Sequence, residues 1–464
     1  MTVSWKNKYF GDKAFYKNIF VVMLPIMIQN AITNFVSMLD NLMVGRLGTL
    51  EMTGVSVANL LVFVYNLSVF GAVSGAGIFT AQFHGKKDHE GVRNSFRFKI
   101  IIALILTALA ILLFIFAGSS LLSLYLRGEG DAADAARALT LARSYLSVIL
   151  IGLIPHAITQ AFSSTLRETD KGIPPMVAGL IAVLVNLVLN YVLIFGHFGA
   201  PRLGVVGAAV ATVISRYVEL LIVFLWTIRH KEKNPFITGF FRHFSIPSEL
   251  CRNIIKKSLP LMINETLWAS GIAVLEQCYS TRALHVVAAC NINNTFFDVF
   301  SVGFISAGVA IGIITGQQLG AGKTREAIED SRRLIVFAFL LGVGIGAIYL
   351  AAAQFIPSLY KTSDDVKQLA TSLMSISALF FPLEGILNGS YFMVRSGGKT
   401  LITMLTDSGL LWGVQVVMAF ILSRFTDIPI LPLYALVQSA MLLKVIISLL
   451  VVKNGKWANT IVTD

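Results

Sequence analysis

Residues 100–118 read IIIALILTALAILLFIFAG, nineteen positions without one charged side chain. A helix needs roughly 20 mostly apolar residues to cross a hydrocarbon core, and this run has no polar face that could be turned to water. Similar runs recur along the chain, giving twelve predicted spans at 18–43, 54–80, 98–119, 141–164, 174–196, 204–228, 254–279, 285–316, 333–356, 368–393, 401–423 and 430–452. Composition agrees: 56% of the 464 residues are hydrophobic and only 13% charged, against about 25% charged in a soluble domain. The sequence predicts an all-α integral membrane protein with twelve transmembrane helices.

A net charge of +12 would suggest nucleic acid in a soluble protein. In a membrane protein, Lys and Arg instead gather in cytoplasmic loops. With the N-terminus inside and span-end residues counted with their loops, 26 of the 37 Lys and Arg fall on the cytoplasmic side and 9 on the other. Arg216 and Lys444 lie within spans. This bias predicts a multi-pass protein of the cell (plasma or inner) membrane with both termini cytoplasmic. Zinc spacings, groove-reading motifs and basic stripes interleaved with aromatics are absent from the sequence, so nucleic acid is not an expected partner. Cys251, Cys278 and Cys290 are odd in number and scattered, which implies neither a disulfide framework nor a metal site. The run starting at Ile19 follows a basic, polar tail (1–17) and is too long for a signal core, so it reads as span 1.

The chain repeats itself. Leu24-Pro25-Ile26-Met27-Ile28 recurs as Leu259-Pro260-Leu261-Met262-Ile263, an offset of 235, and Gln82-Phe83-His84-Gly85 aligns with Gln317-Gln318-Leu319-Gly320 at the same offset. Arg167, Lys171, Met176 and Arg216 align with Arg395, Lys399, Met404 and Lys444 at an offset of 228. Six spans per repeat predict two lobes, 18–228 and 254–452, related by a pseudo-two-fold axis along the membrane normal. A polar, basic cytoplasmic linker with Pro235 and Pro247 (229–253) joins them, and 453–464 forms a cytoplasmic tail. The lobes are expected to face each other across a central cavity and to alternate its access.

Acids inside spans cost several kcal/mol unless paired or hydrated, so each is a functional candidate. Asp40 lies near the outer third of span 1. Glu265 follows Pro260 in span 7, and Glu384 follows Pro382 in span 10. A proline leaves a backbone carbonyl without its helical donor, and a carboxylate beside such carbonyls can bind Na+ or hold a proton. The alternative for Glu265 and Glu384 is a buried structural pair; for Asp40 it is a helix-end hydrogen bond. Asp298 in span 8 accompanies Asn291, Asn293 and Asn294 and joins the cation-coupling candidates. Asp407 ranks below these four, because it lies close to the cytoplasmic end of span 11, where water reaches it.

Arg216 and Glu219, three apart on span 6, suggest an intrahelical ion pair, and Arg167, Arg395 and Lys444 read as structural. Asn186 and Asn190 share one face of span 5. Such residues commonly join helices, though with Asp40 they can also form a substrate or proton site. The chain has no G-x-x-x-x-G-K-[ST] and no nucleophile constellation. It reads as a non-enzyme, without a tightly bound cofactor, energised by an ion gradient.

Taken in order, Leu39-Asp40-Asn41-Leu42-Met43-Val44-Gly45-Arg46-Leu47-Gly48, Asn186-Leu187-Val188-Leu189-Asn190-Tyr191, Gly204-Val205-Val206-Gly207-Ala208-Ala209-Val210-Ala211-Thr212 and Gly316-Gln317-Gln318-Leu319-Gly320-Ala321-Gly322-Lys323 resemble the multidrug and toxic-compound extrusion (MATE) transporters over almost the whole chain. The resemblance implies export of organic cations and other drugs in exchange for Na+ or H+. It implies a cation site on spans 7 and 10, where Glu265 and Glu384 match and would ligate the ion if it is Na+. Glu384 stands where Asp is frequent, and Phe380 stands where a tyrosine often precedes the acid by one turn. In another branch a span-1 Asp works with Asn and Asp on span 5. Asp40 and Asn186 match, but Asn190 replaces the second acid, so coupling through the C-terminal lobe is expected. A flippase for lipid-linked glycans is the alternative, disfavoured by the acidic sign of the intramembrane charge. The expected partners are small organic cations or drugs and the lipid bilayer, and the expected state is a monomer.

Overall fold

A computed structural model describes residues 8–125, 132–240, 245–360 and 362–462. The first seven residues of the predicted N-terminal tail, residues 241–244 of the predicted linker, and the last two of the C-terminal tail lie outside the described residues. Among the described residues, twelve helices are long and apolar enough to cross a membrane. They are α1 (Lys13–Gly45), α2 (Thr49–Lys86), α3 (His89–Tyr125), α4 (Ala132–Glu168), α5 (Ile173–Phe195), α6 (Gly204–Arg229), α7 (Ser248–Ser280), α8 (Leu284–Gly320), α9 (Thr324–Ala353), α10 (Asp364–Ser396), α11 (Thr400–Phe425) and α12 (Ile430–Asn454). Each predicted span falls on one of these helices, 174–196 and 333–356 running one and three residues past the helix end. Several helices are longer than the apolar pattern: α2 has 38 residues, about 57 Å at 1.5 Å per residue, against a hydrocarbon core of about 30 Å. The extra turns are the charged ends, which hydropathy counts as loop although the backbone stays helical.

Two helices depart from regular α geometry. In α11 the α-helical start (Thr400–Met404) opens into π-helical turns at Leu405–Gly409 and Leu411–Val416 before α-helix resumes at Val417. α12 is interrupted at Ala440, between Ile430–Ser439 and Met441–Asn454. Isolated π turns inside α-helices occur frequently at functional sites, and apolar periodicity does not report them.

The contacts divide the chain into two compact units. One comprises 28–80 and 89–258; the other comprises 1–27, 81–88 and 259–464. The first is cored by α2, α4 and α6 side chains such as Ala58, Leu61, Val69, Leu153 and Ala209. In the second, Ile19, Met23 and Ile26 of α1 pack with Ile311, Leu334, Ala338 and Met393.

Within the second unit, α9 and α10 meet backbone to backbone. A Cβ on Gly385 would lie 2.2 Å from the Ala338 carbonyl oxygen, and one on Gly342 would lie 2.5 Å from that of Phe381. In lipid, helices associate chiefly through van der Waals packing, so small residues at close crossings are the means of adhesion. Gly385→Val is therefore expected to lower the melting temperature of the purified protein in detergent by several degrees, since overpacking costs about 1–3 kcal/mol. Gly344→Ala, where an added Cβ meets nothing within 4 Å, should leave it unchanged; equal melting points for both variants would refute the close-packing account.

Candidate functional site

Three carboxylates gather in the second unit. Glu265 (α7) lies within electrostatic reach of Arg395 and Asp407, and Glu384 (α10) within reach of Lys444 and Asp407. Asp407 is thus the acid common to both, although its place near the end of span 11 ranked it lower. It stands in the first π-helical stretch of α11. Its Oδ1 accepts from Lys444 Nζ at 3.1 Å, and its Oδ2 accepts from Asn264 Nδ2 at 3.1 Å.

Asn264, next to Glu265, organises the group. It is buried; its Oδ1 accepts from Ser408 Oγ at 2.7 Å, and its Nδ2 also lies 3.4 Å from the Tyr391 hydroxyl. Trp412 Nε1 donates to the Leu267 carbonyl at 2.8 Å, adding a second tie between α7 and α11. On α10, Asn388 Nδ2 donates to the Glu384 carbonyl at 3.0 Å and to its Oε2 at 3.3 Å. The Arg395 guanidinium lies 5.2 Å from the centre of the Phe392 ring and 5.9 Å from that of Tyr391. The carboxylates share a field rather than a coordination sphere: among the described residues, no three His, Cys, Asp or Glu form a metal-holding group.

Asp298 does not belong to these interactions. Its acidic neighbour is Glu276, eleven residues beyond Glu265 on α7, about 16 Å along a helix. Asn294 Nδ2 donates to Glu276 Oε1 at 2.8 Å. Asn293 is part of a separate buried polar knot: its Oδ1 accepts from Tyr349 and Ser377 hydroxyls at 3.1 Å each, and its Nδ2 donates to the Tyr434 hydroxyl at 3.3 Å. That knot ties α8, α9, α10 and α12 together, the helix-joining use of polar side chains in a bilayer.

In the first unit, Asp40, Asn186 and Asn190 meet. Asn190 Nδ2 donates to Asp40 Oδ1. The Asn186 amide orientation that satisfies its neighbours also donates to Asp40 Oδ1, at 2.9 Å. One helical turn separates the two asparagines, so both amides reach one carboxylate; Thr212 of α6 adjoins Asn186. Arg216 departs from the ion pair predicted with Glu219. Its Nη1 donates to the Gly152 carbonyl at 3.3 Å, and Glu219 is a more distant electrostatic neighbour. Three-residue spacing puts two side chains on one face without fixing where a long guanidinium ends.

Twelve membrane-length helices among the described residues, several with carboxylates inside them, define a polytopic α-helical membrane protein. A MatE family model matches residues 25–192 and 270–421, and the chain belongs to that family, the MATE transporters. It is 25% identical over 454 residues to the probable multidrug resistance protein NorM of Thermotoga maritima, covering 95% of this chain and 93% of that protein. It is 26% identical over 423 residues to the probable multidrug resistance protein YoeA of Bacillus subtilis, covering 90% and 89%. Among solved structures, an outward-facing multidrug resistance MATE transporter superposes with a TM-score of 0.85 at 20% identity, covering 98% of this chain and 99% of that one. A MOP superfamily transporter from Pyrococcus furiosus superposes with 0.84 at 20% identity, with the same coverage. At that identity the structural likeness establishes the fold.

Proposed function

We propose that this protein is a cation-coupled antiporter that exports small organic, often cationic, compounds by alternating access between two six-helix lobes, 18–228 and 254–452. The observation that carries this reading is the convergence of Glu265, Glu384 and Asp407 beside Arg395 and Lys444. Uncompensated negative charge is expensive within a bilayer, so such a group recruits a mobile cation. Na+, H+ or a cationic cargo can each supply that charge, and competition among them for one site produces exchange. The names of the NorM and YoeA relatives support drugs as cargo. The charge is the wrong sign for the pyrophosphate of a lipid-linked glycan. In this reading Asp40, Asn186 and Asn190 form a polar subsite for cargo or a proton, and both termini are cytoplasmic.

Purified protein in liposomes is expected to expel a fluorescent organic cation when either a Na+ gradient or a pH gradient is imposed alone. The gradient that works identifies the coupling ion. Efflux indifferent to both gradients would overturn the antiport reading.

A further inference from the structure

The Lys444–Asp407 contact is built where two irregular helices meet. Asp407 lies in a π-helical stretch of α11, and Lys444 lies in the first turn after the interruption of α12 at Ala440. Lys444 is buried, its ammonium is 3.1 Å from Asp407 Oδ1, and it is also within reach of Glu384. A lysine ammonium is a compact charge on a flexible stem with three rotatable donors, and here its field acts on Glu384 as well as on Asp407.

The other repeat shows how specific this arrangement is. At the repeat offsets, Lys444, Arg395, Asn264 and Asp407 correspond to Arg216, Arg167, Gln29 and Gly179. Those residues also form a group: Arg167 Nη1 donates to Gln29 Oε1 at 3.3 Å. A Cβ on Gly179 would lie 3.5 Å from Gln29 and 3.8 Å from Glu219 Oε1. There Glu219 faces two arginines, with Glu168 also beside Arg167, whereas Glu384 and Glu265 correspond to His156 and Asn30. At the three positions where the second repeat has carboxylates, the first repeat has Asn30, His156 and Gly179.

We propose that Lys444 is a built-in countercation that limits the Glu265–Glu384–Asp407 site to one mobile monovalent charge. Three ionised carboxylates against Lys444 and Arg395 leave a single negative charge, which one Na+, one proton or one organic cation neutralises. Without Lys444 the site would need two. This inference rests on the antiport reading and deepens it by assigning the number of ions exchanged.

The test is a coupling-ratio measurement on reconstituted protein with ethidium as the cargo. Opposed gradients of ethidium and the driving ion are varied until net flux is zero, which yields the number of ions per ethidium. The native protein and Lys444→Arg should give one. Lys444→Gln should move toward two, and the double variant Lys444→Gln/Asp407→Asn, which removes one charge of each sign, should return to one. Asp407→Asn alone, which leaves the site with no net charge, should lose ion-driven ethidium exchange, its flux falling to the passive leak. If Lys444→Gln fails to reconstitute, Asp407→Asn and the double variant still decide the matter. A ratio of one in Lys444→Gln, or preserved ion coupling in Asp407→Asn, would overturn the proposal while leaving antiport intact. A native protein driven by neither ion gradient would instead overturn the antiport reading.

Discussion

Glu265→Gln and Glu384→Gln should each reduce gradient-driven efflux to the passive leak while the protein reaches the membrane at normal levels. Either substitution leaves two carboxylates against Arg395 and Lys444, so the site carries no net charge and ceases to attract a cation. The loss is therefore one of cation binding and not of stability, because burying a cation requires a countercharge. Glutamine retains the shape and helix propensity of glutamate, so folding should persist. Efflux assays in proteoliposomes alongside membrane immunoblots would check these outcomes, and native rates in both glutamine variants would remove Glu265 and Glu384 from the coupling site.

The largest expected stability effect lies elsewhere, at Lys99. Its fully buried ammonium forms an ion pair with Glu168 and donates to the hydroxyls of Ser164 and Thr165 at 3.1 Å each. Ser164 Oγ also donates to Glu168 Oε1 at 2.6 Å. The carboxylate is closely confined, since a Cβ on Gly77 would lie 2.2 Å from Glu168 Oε1. Lys99→Met strips Glu168 of this countercharge and should cost about 3–5 kcal/mol, whereas removing both charges together is far milder. Thermal unfolding in detergent should show a large drop for Lys99→Met and substantial recovery in Lys99→Met/Glu168→Gln. Equal loss in both would mean that packing by the lysine stem, and not the ion pair, holds α3 to α4.

Lys99 also marks where sequence reasoning ran short. At the edge of a span it counts as one more loop charge, because hydropathy is blind to a partner 69 residues away. Asp407 was discounted for the same reason. Its partners Lys444 and Asn264 come from α12 and α7, and π-helical turns alter the register that an ideal helix would predict. Asp298 reads in the sequence as one more intramembrane acid beside Glu265 and Glu384, and in the fold its acidic neighbour is Glu276, far along α7. Asn186 and Asn190, by contrast, were readable as a pair, since i and i+4 on one helix share a face whatever surrounds them.

The twelve spans, the duplication and the mid-span carboxylates are legible in the order of residues alone. Bilayer thickness and the cost of buried charge act on local runs of residues, and repeats preserve spacing. Which charges share a site emerges from the packed bundle, because a side chain's neighbours depend on helix rotation, packing distance and backbone irregularity. Those brought Asp407 and Lys444 beside Glu265 and Glu384 and placed Asp298 outside their group.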